Sequence, residues 1–221
     1  MSAVTSVSET QHDSPWWEIL LVMAASLAIS LLVPSLQIVA ILVPVAYLIV
    51  ERHLRKRTWS ESGLNIRAFP QDLLHNIGWV LLVGVGTQAL SVFGSYWLLP
   101  EYSAHVMARL PFDARTFDSK VLNTLLVITL GEEMIYRALF QKRLSAFLPV
   151  PAAIALSSIV FAMMHYVPGP AAIVVTDLGL IVVDSVIYGV IFARSNNVWV
   201  AWAAHFLADV CGMVFLLALA R

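Results

Sequence analysis

Seven long apolar stretches, at 16–33, 36–50, 73–99, 121–140, 151–165, 171–193 and 198–220, leave this chain little choice but to fold in a lipid bilayer. A hydrocarbon core about 30 Å thick takes roughly 20 helical residues to cross, and lipid offers no hydrogen-bond partner to an open backbone, so each span must be a helix. Five of the stretches reach or approach that length, while 36–50 and 151–165 are shorter. Composition agrees: 60% of the 221 residues are hydrophobic and 12% are charged, too little polar surface for a soluble domain of this size. The expected fold is all-α, a polytopic transmembrane helix bundle of about seven spans forming one membrane-embedded domain over 1–221. Residues 1–15 read as a polar N-terminal tail, 16–99 as scaffold helices and 121–220 as the helices that carry chemistry. The tail has no Lys or Arg, so it reads as a tail and not as a cleaved leader, and Trp16 and Trp17 suit a membrane interface. Pro34 marks either a tight turn or a kink in one long hydrophobic hairpin.

A formal net charge of -1 gives no basic surplus to recruit nucleic acid, and none is expected as a partner. Cys211 is the single cysteine, which excludes an intrachain disulfide and a multi-thiolate metal site; it reads as a packing residue. Arg52, Arg55, Lys56, Arg57 and Arg67 crowd one loop, and seven spans put Lys142, Arg143 and Arg194 on that same side, which is therefore expected to be cytoplasmic. The other side receives the smaller set Arg109, Arg115, Lys120 and Arg221. Residues 100–120 suit a short helix lying in the interface. The expected location is an integral, multi-pass position in a bacterial cytoplasmic membrane.

Charges inside apolar spans are the informative residues. Eight of them, Glu132, Glu133, Arg137, His165, Asp177, Asp184, His205 and Asp209, follow residue 130, and the first three stretches hold almost nothing comparable. Each Asp, Glu or Arg at a bilayer centre costs on the order of 2.5 to 3.5 kcal/mol on insertion scales, so the set implies a use. Glu133 and Arg137 are four apart, on one helical face, the spacing of an ion pair that lowers the cost of both. That pair alone reads equally well as a packing element. Glu132 points about 100° away and has no local cation, as a general base would. His165 follows Phe161 by four and precedes a helix-breaking Tyr166-Val167-Pro168-Gly169-Pro170 run; taken singly it is a satisfied interface histidine. His205 and Asp209 are also four apart, and singly they read as a structural hydrogen bond. Together, Glu132, His165 and the His205 and Asp209 pair come from three helices, the way bundles build an interior site. Asp177 and Asp184 share a face of the sixth helix and are candidates to line or support that site.

These residues resemble the CPBP family, which includes the type II CAAX prenyl endopeptidases and the bacterial proteins called Abi or bacteriocin-immunity proteases. The family's Glu-Glu-x-x-x-Arg, Phe-x-x-x-His and His-x-x-x-Asn stand here as Glu132-Glu133-x-x-x-Arg137, Phe161-x-x-x-His165 and His205-x-x-x-Asp209, in order and at the right spacing. Leu139, Leu144, Ser157-Ser158, Gly189, Ser195-Asn196-Asn197 and Trp199 fit the intervening pattern, and the likeness covers about 121 to 212. Tyr136 and Ala138 replace the usual Phe and Gly, and Asp209 replaces the common Asn. That last change matters, because an amide donates a hydrogen bond at any pH and a carboxyl only when protonated.

The resemblance implies an intramembrane endopeptidase in which Glu132, assisted by His165, activates water, and His205 with Asp209 stabilises the oxyanion. Glu133 and Arg137 would fix the geometry. The implied partners are the bilayer and a membrane-bound protein or peptide: a prenylated CAAX protein, a pheromone or bacteriocin, or a C-terminal sorting tail. No cofactor is implied. Glu132, His165, His205 and Asp209 also make a hard N/O set that zinc accepts, so a zinc-dependent protease stands as one alternative. A proton or ion pathway, or an immunity scaffold that binds a peptide without cutting it, is the other.

Overall fold

The structure is a computed structural model that describes residues 16–33, 37–110 and 117–219. The tail, Pro34, Arg115 and Arg221 lie outside the described residues. Each expected apolar stretch is helical over most of its described residues. Helices α1 (Trp16–Leu32) and α2 (Gln37–Leu54) bracket Pro34 and pack as a hairpin, tied by Ser26 Oγ donating to the Ala40 carbonyl at 2.6 Å. The third stretch is one continuous helix: α3 (Phe69–Leu81), a π-helical segment Leu82–Thr87, and α4 (Gln88–Leu98). It starts before the apolar run because Pro70 sits in its first turn, where a missing N–H costs nothing. Helix α5 (Tyr102–Arg109) is the short helix expected between the third and fourth spans, and it folds inward, burying Tyr102 and Val106 against Val92, Ile173 and Leu216.

The second half repeats the pattern. Helix α6 (Ser119–Glu133), opened by Asp118 capping the Val121 N–H at 2.9 Å, runs through a π-helical segment Met134–Gln141 into α7 (Lys142–Leu144). Helices α8 (Val150–Met163), α9 (Ala171–Ser195) and α10 (Val198–Leu219) follow. Among the described residues, three helices are long and apolar enough to cross a bilayer: the 33-residue Ile66–Leu98 helix, α9 and α10. The α6 to α7 helix carries Glu133, Arg137 and Arg143, all buried, and α8, at 14 residues, is about 21 Å long at 1.5 Å per residue. Large apolar side chains such as Leu32, Leu90, Trp97, Leu98, Val127 and Val175 face outward, as lipid requires.

Helix α10 is the hub, packed against α3, α4, α6 and α9, with Val198, Val200, Ala201 and Ala204 fully buried. The turn that launches it is anchored by side chains. Asn196 takes the left-handed conformation (φ 46°) and its amide donates to the Ser60 carbonyl at 2.9 Å; Asn197 donates to the Asn65 carbonyl at 2.9 Å and to Asp72 at 2.8 Å. Lys142 reaches Asn196 at 2.5 Å, Arg143 bonds to Glu51, and Arg194 reaches Asn76 at 3.1 Å. The basic loop, the end of α7 and the α9 to α10 turn therefore meet at one end of the bundle, as the charge pattern implies.

Candidate active site

The sequence places two carboxylates side by side at the end of α6, and the helix gives them opposite surroundings. Glu133 is 0% exposed and bonds on both oxygens: Arg137 Nε reaches Oε2 at 3.2 Å and His205 Nδ1 reaches Oε1 at 2.9 Å. Arg137, also 0% exposed, spends its other nitrogens on Gln141 Oε1 at 3.3 Å and Ser185 Oγ at 2.7 Å. Gln141 in turn donates to the Gly189 carbonyl at 2.8 Å. A buried ion pair is tolerated when all its polar atoms are satisfied in this way.

Glu132 turns from that network into a cavity of about 880 Å³. Its Oε1 lies 3.9 Å from His165 Nε2 and its Oε2 lies 3.6 Å from His205 Nε2. The tautomers follow from the partners. His165 Nδ1 is 2.9 Å from the Phe161 carbonyl, which can only accept, so Nδ1 holds the proton and a neutral ring turns its Nε2 lone pair to Glu132. His205 Nδ1 likewise donates to Glu133, which leaves Nε2 facing Glu132 and, at 3.7 Å, Asp209 Oδ1. The rings are held by aromatic contacts: Tyr188 stacks on His205 at 4.6 Å, and Phe161 packs on both His165 and His205. Separations of 3.6 to 3.9 Å exceed a direct hydrogen bond and suit groups that share a water.

All six sequence candidates, Glu132, Glu133, Arg137, His165, His205 and Asp209, thus converge at one place. The His205 and Asp209 pair is not a hydrogen bond, because the strong partner of His205 is Glu133. Asp184 lines the cavity and accepts from Gln88 Nε2 at 2.7 Å; Asp177 lines it from farther along α9. The front helices do more than support: Leu20, Met23, Ile41, Gln88 and Ser91 form part of the wall. The layer behind the site, Gln141, Ser185 and Tyr188, is new. Gln141 was readable as the next step of the Glu133, Arg137 stripe, whereas Ser185 and Tyr188 come from another helix and carry no such signal. Among the described residues, no group of three or more His, Cys, Asp or Glu side chains is arranged to hold a metal ion.

A comparison with curated proteins found no significant match, and neither did one with solved structures. The family model described as type II CAAX prenyl endopeptidase Rce1-like matches residues 117–211, the stretch that holds α6, α8, α9 and the polar half of α10. The non-enzymatic alternative gives way to that match. Residues 117–211 thus form an Rce1-like domain, and that family indicates a protease, a hydrolase acting on peptide bonds.

Proposed function

We propose that this protease is glutamate-dependent and cuts a membrane-associated protein or peptide with a water molecule activated by Glu132. The observation that carries the reading is the Glu132 carboxylate standing between the Nε2 atoms of His165 and His205, at 3.9 and 3.6 Å, on the wall of a large cavity. A water between Glu132 and His165 loses its proton to the carboxylate as its oxygen attacks the scissile carbonyl. His205, oriented by Glu133, donates from Nε2 in its imidazolium form to the developing oxyanion, with protonated Asp209 as the second donor. The proton held on Glu132 then passes to the departing amine, so the acid and the base are one residue. Glu133, Arg137, Gln141 and Ser185 hold the geometry. No covalent intermediate enters, since no Ser or Cys is among the six converging residues. The cycle is closed by protein groups alone, and the membrane concerned is proposed to be a bacterial cytoplasmic membrane.

The test is a membrane-protein peptidase assay with Glu132→Gln. The variant is expected to insert and fold like the parent and to lose at least about 10³-fold in turnover, the scale of a removed general base. Turnover within tenfold of the parent removes Glu132 from the role. Parent activity is expected to survive exhaustive chelation, with elemental analysis showing no stoichiometric metal; loss restored by zinc would favour the metal-dependent reading.

A further inference from the structure

The cavity has a second charged site that the hydrolytic cycle does not use. Arg109, the last residue of α5, lines the cavity and donates from one terminal nitrogen to Asp177, which is itself 1% exposed. Tyr102 Oη at 3.4 Å and His105 Nε2 at 3.6 Å brace the same aspartate. Among the described residues that line the cavity, Arg109 is the one Lys or Arg. Glu132, His165 and Asp209 line the same cavity.

Arg137 and Arg109 each pair with a carboxylate that is at most 1% exposed, and they differ in what remains. Arg137 is 0% exposed and its nitrogens are taken up by Glu133, Gln141 and Ser185, as a purely structural pair requires. Arg109 is 19% exposed, and Asp177 is its one bonded partner among the described residues, so most of its five donors are left to the cavity. A guanidinium fixed on one edge by a braced carboxylate, with its other edge open, is a preorganised receptor for a planar anion that accepts two parallel bonds. In a peptide-hydrolysing cavity walled mostly by apolar side chains, the anion that every substrate chain carries is its terminal carboxylate.

We propose that Arg109 binds the free C-terminal carboxylate of the peptide in the cavity, and so sets how far from the chain end the bond presented to Glu132 lies. The proposal deepens the function given above and rests on this cavity being the substrate site. Asp177, Tyr102 and His105 are the positioning residues that aim the guanidinium.

Binding tests it without cleavage. The Glu132→Gln protein, purified in detergent, is titrated with three fluorescent peptides of one aliphatic sequence: one ending in a free carboxylate, one in a carboxamide, and one in a carboxamide with aspartate as the last residue. The free acid is expected to bind at least about tenfold tighter than the plain amide. Arg109→Gln is expected to bring the acid down to the level of the amide, and Arg109→Lys, which keeps the charge and loses the fork, to fall between. Equal binding of acid and amide, or binding of neither, overturns the proposal. Aspartate-amide binding as tight as the free acid also overturns it, in favour of a side-chain carboxylate. A Glu132→Gln protein that still cleaves sinks the hydrolytic assignment but leaves the carboxylate preference to be decided by these titrations.

Discussion

Glu132 and Glu133 are neighbours in the chain and opposites in the fold, and the difference is made by what each side chain meets. Glu133 has both oxygens bonded and no exposure; Glu132 has two imidazoles at water-bridging distance and a cavity before it. Removing one partner of the Glu133 and Arg137 pair would leave an uncompensated buried charge, at a cost of about 3 to 5 kcal/mol. Asp209 is the residue whose chemistry is most open to measurement. Its Oδ1 lies 3.7 Å from His205 Nε2, and its side chain, 36% exposed, is the most accessible of the group. As an oxyanion donor it works only while protonated, so turnover should decline as rising pH strips that proton. Asp209→Asn keeps the donor at every pH: it is expected to abolish the alkaline decline, to match the parent at acidic pH, and to leave the acid-side rise set by Glu132 in place. Asp209→Ala should lose on the order of 10²-fold throughout. A dead Asp209→Asn protein would show instead that the negative charge is what His205 needs. The six converging residues were legible in the sequence because they are ionisable groups inside apolar spans and stand in order at the spacing of a family's motifs. The bond from His205 to Glu133 was not, since it joins residues 72 apart and depends on how α10 packs on α6.

At the level of elements, the apolar stretches announced the helices, but not how they are joined or bent. The two π-helical segments were invisible to hydrophobic periodicity, because one extra residue in a turn moves the pattern by less than a reader of sequence resolves. The Met134–Gln141 segment begins directly after Glu133 and carries Arg137, so the irregular turn lies where the charges must be aimed. Packing between α8 and α9 has an equally local cause. At Gly189 an added Cβ would stand 2.9 Å from Gln141 Oε1 and 2.9 Å from Ile154 Cγ2, so α8 seats against α9 only over a glycine. The glycine carbonyl also receives Gln141, which supports Arg137. Gly189→Ala is therefore expected to destabilise the protein by about 1 to 3 kcal/mol, the usual cost of overpacking, and to lower turnover with it. Thermal unfolding in detergent measures the first effect; a Tm equal to that of the parent would mean that the helices part without cost. The shortness of α8 has a consequence of its own: the helix ends at Met163, and its closing turn brings His165 to the cavity.

For the molecule as a whole, the bundle is polar at one end, holds the proposed site in its interior and packs α5 against α4, α9 and α10. Arg143 with Glu51, Lys142 with Asn196, and Arg194 with Asn76 tie the basic loop, α7 and the α9 to α10 turn into a single layer. Those contacts require α2, α7 and α9 to finish, and α3 and α10 to start, at the same face. Arg109 and Lys120, by contrast, flank the segment that joins α5 to α6, at the other end of those helices. Cations are retained on the side from which a span is inserted, so the basic layer is expected to face the cytoplasm. In a Cys211→Ser background, Lys56→Cys and Lys120→Cys place one thiol at each end of the bundle. A membrane-impermeant maleimide added to intact cells stripped of their outer barriers should label the thiol at 120 and spare the one at 56, and inverted vesicles should reverse the pattern. Labelling of both from one side would break the antiparallel arrangement on which the cavity depends, whereas a clean inversion would leave the site intact and move its substrate entrance to the opposite compartment.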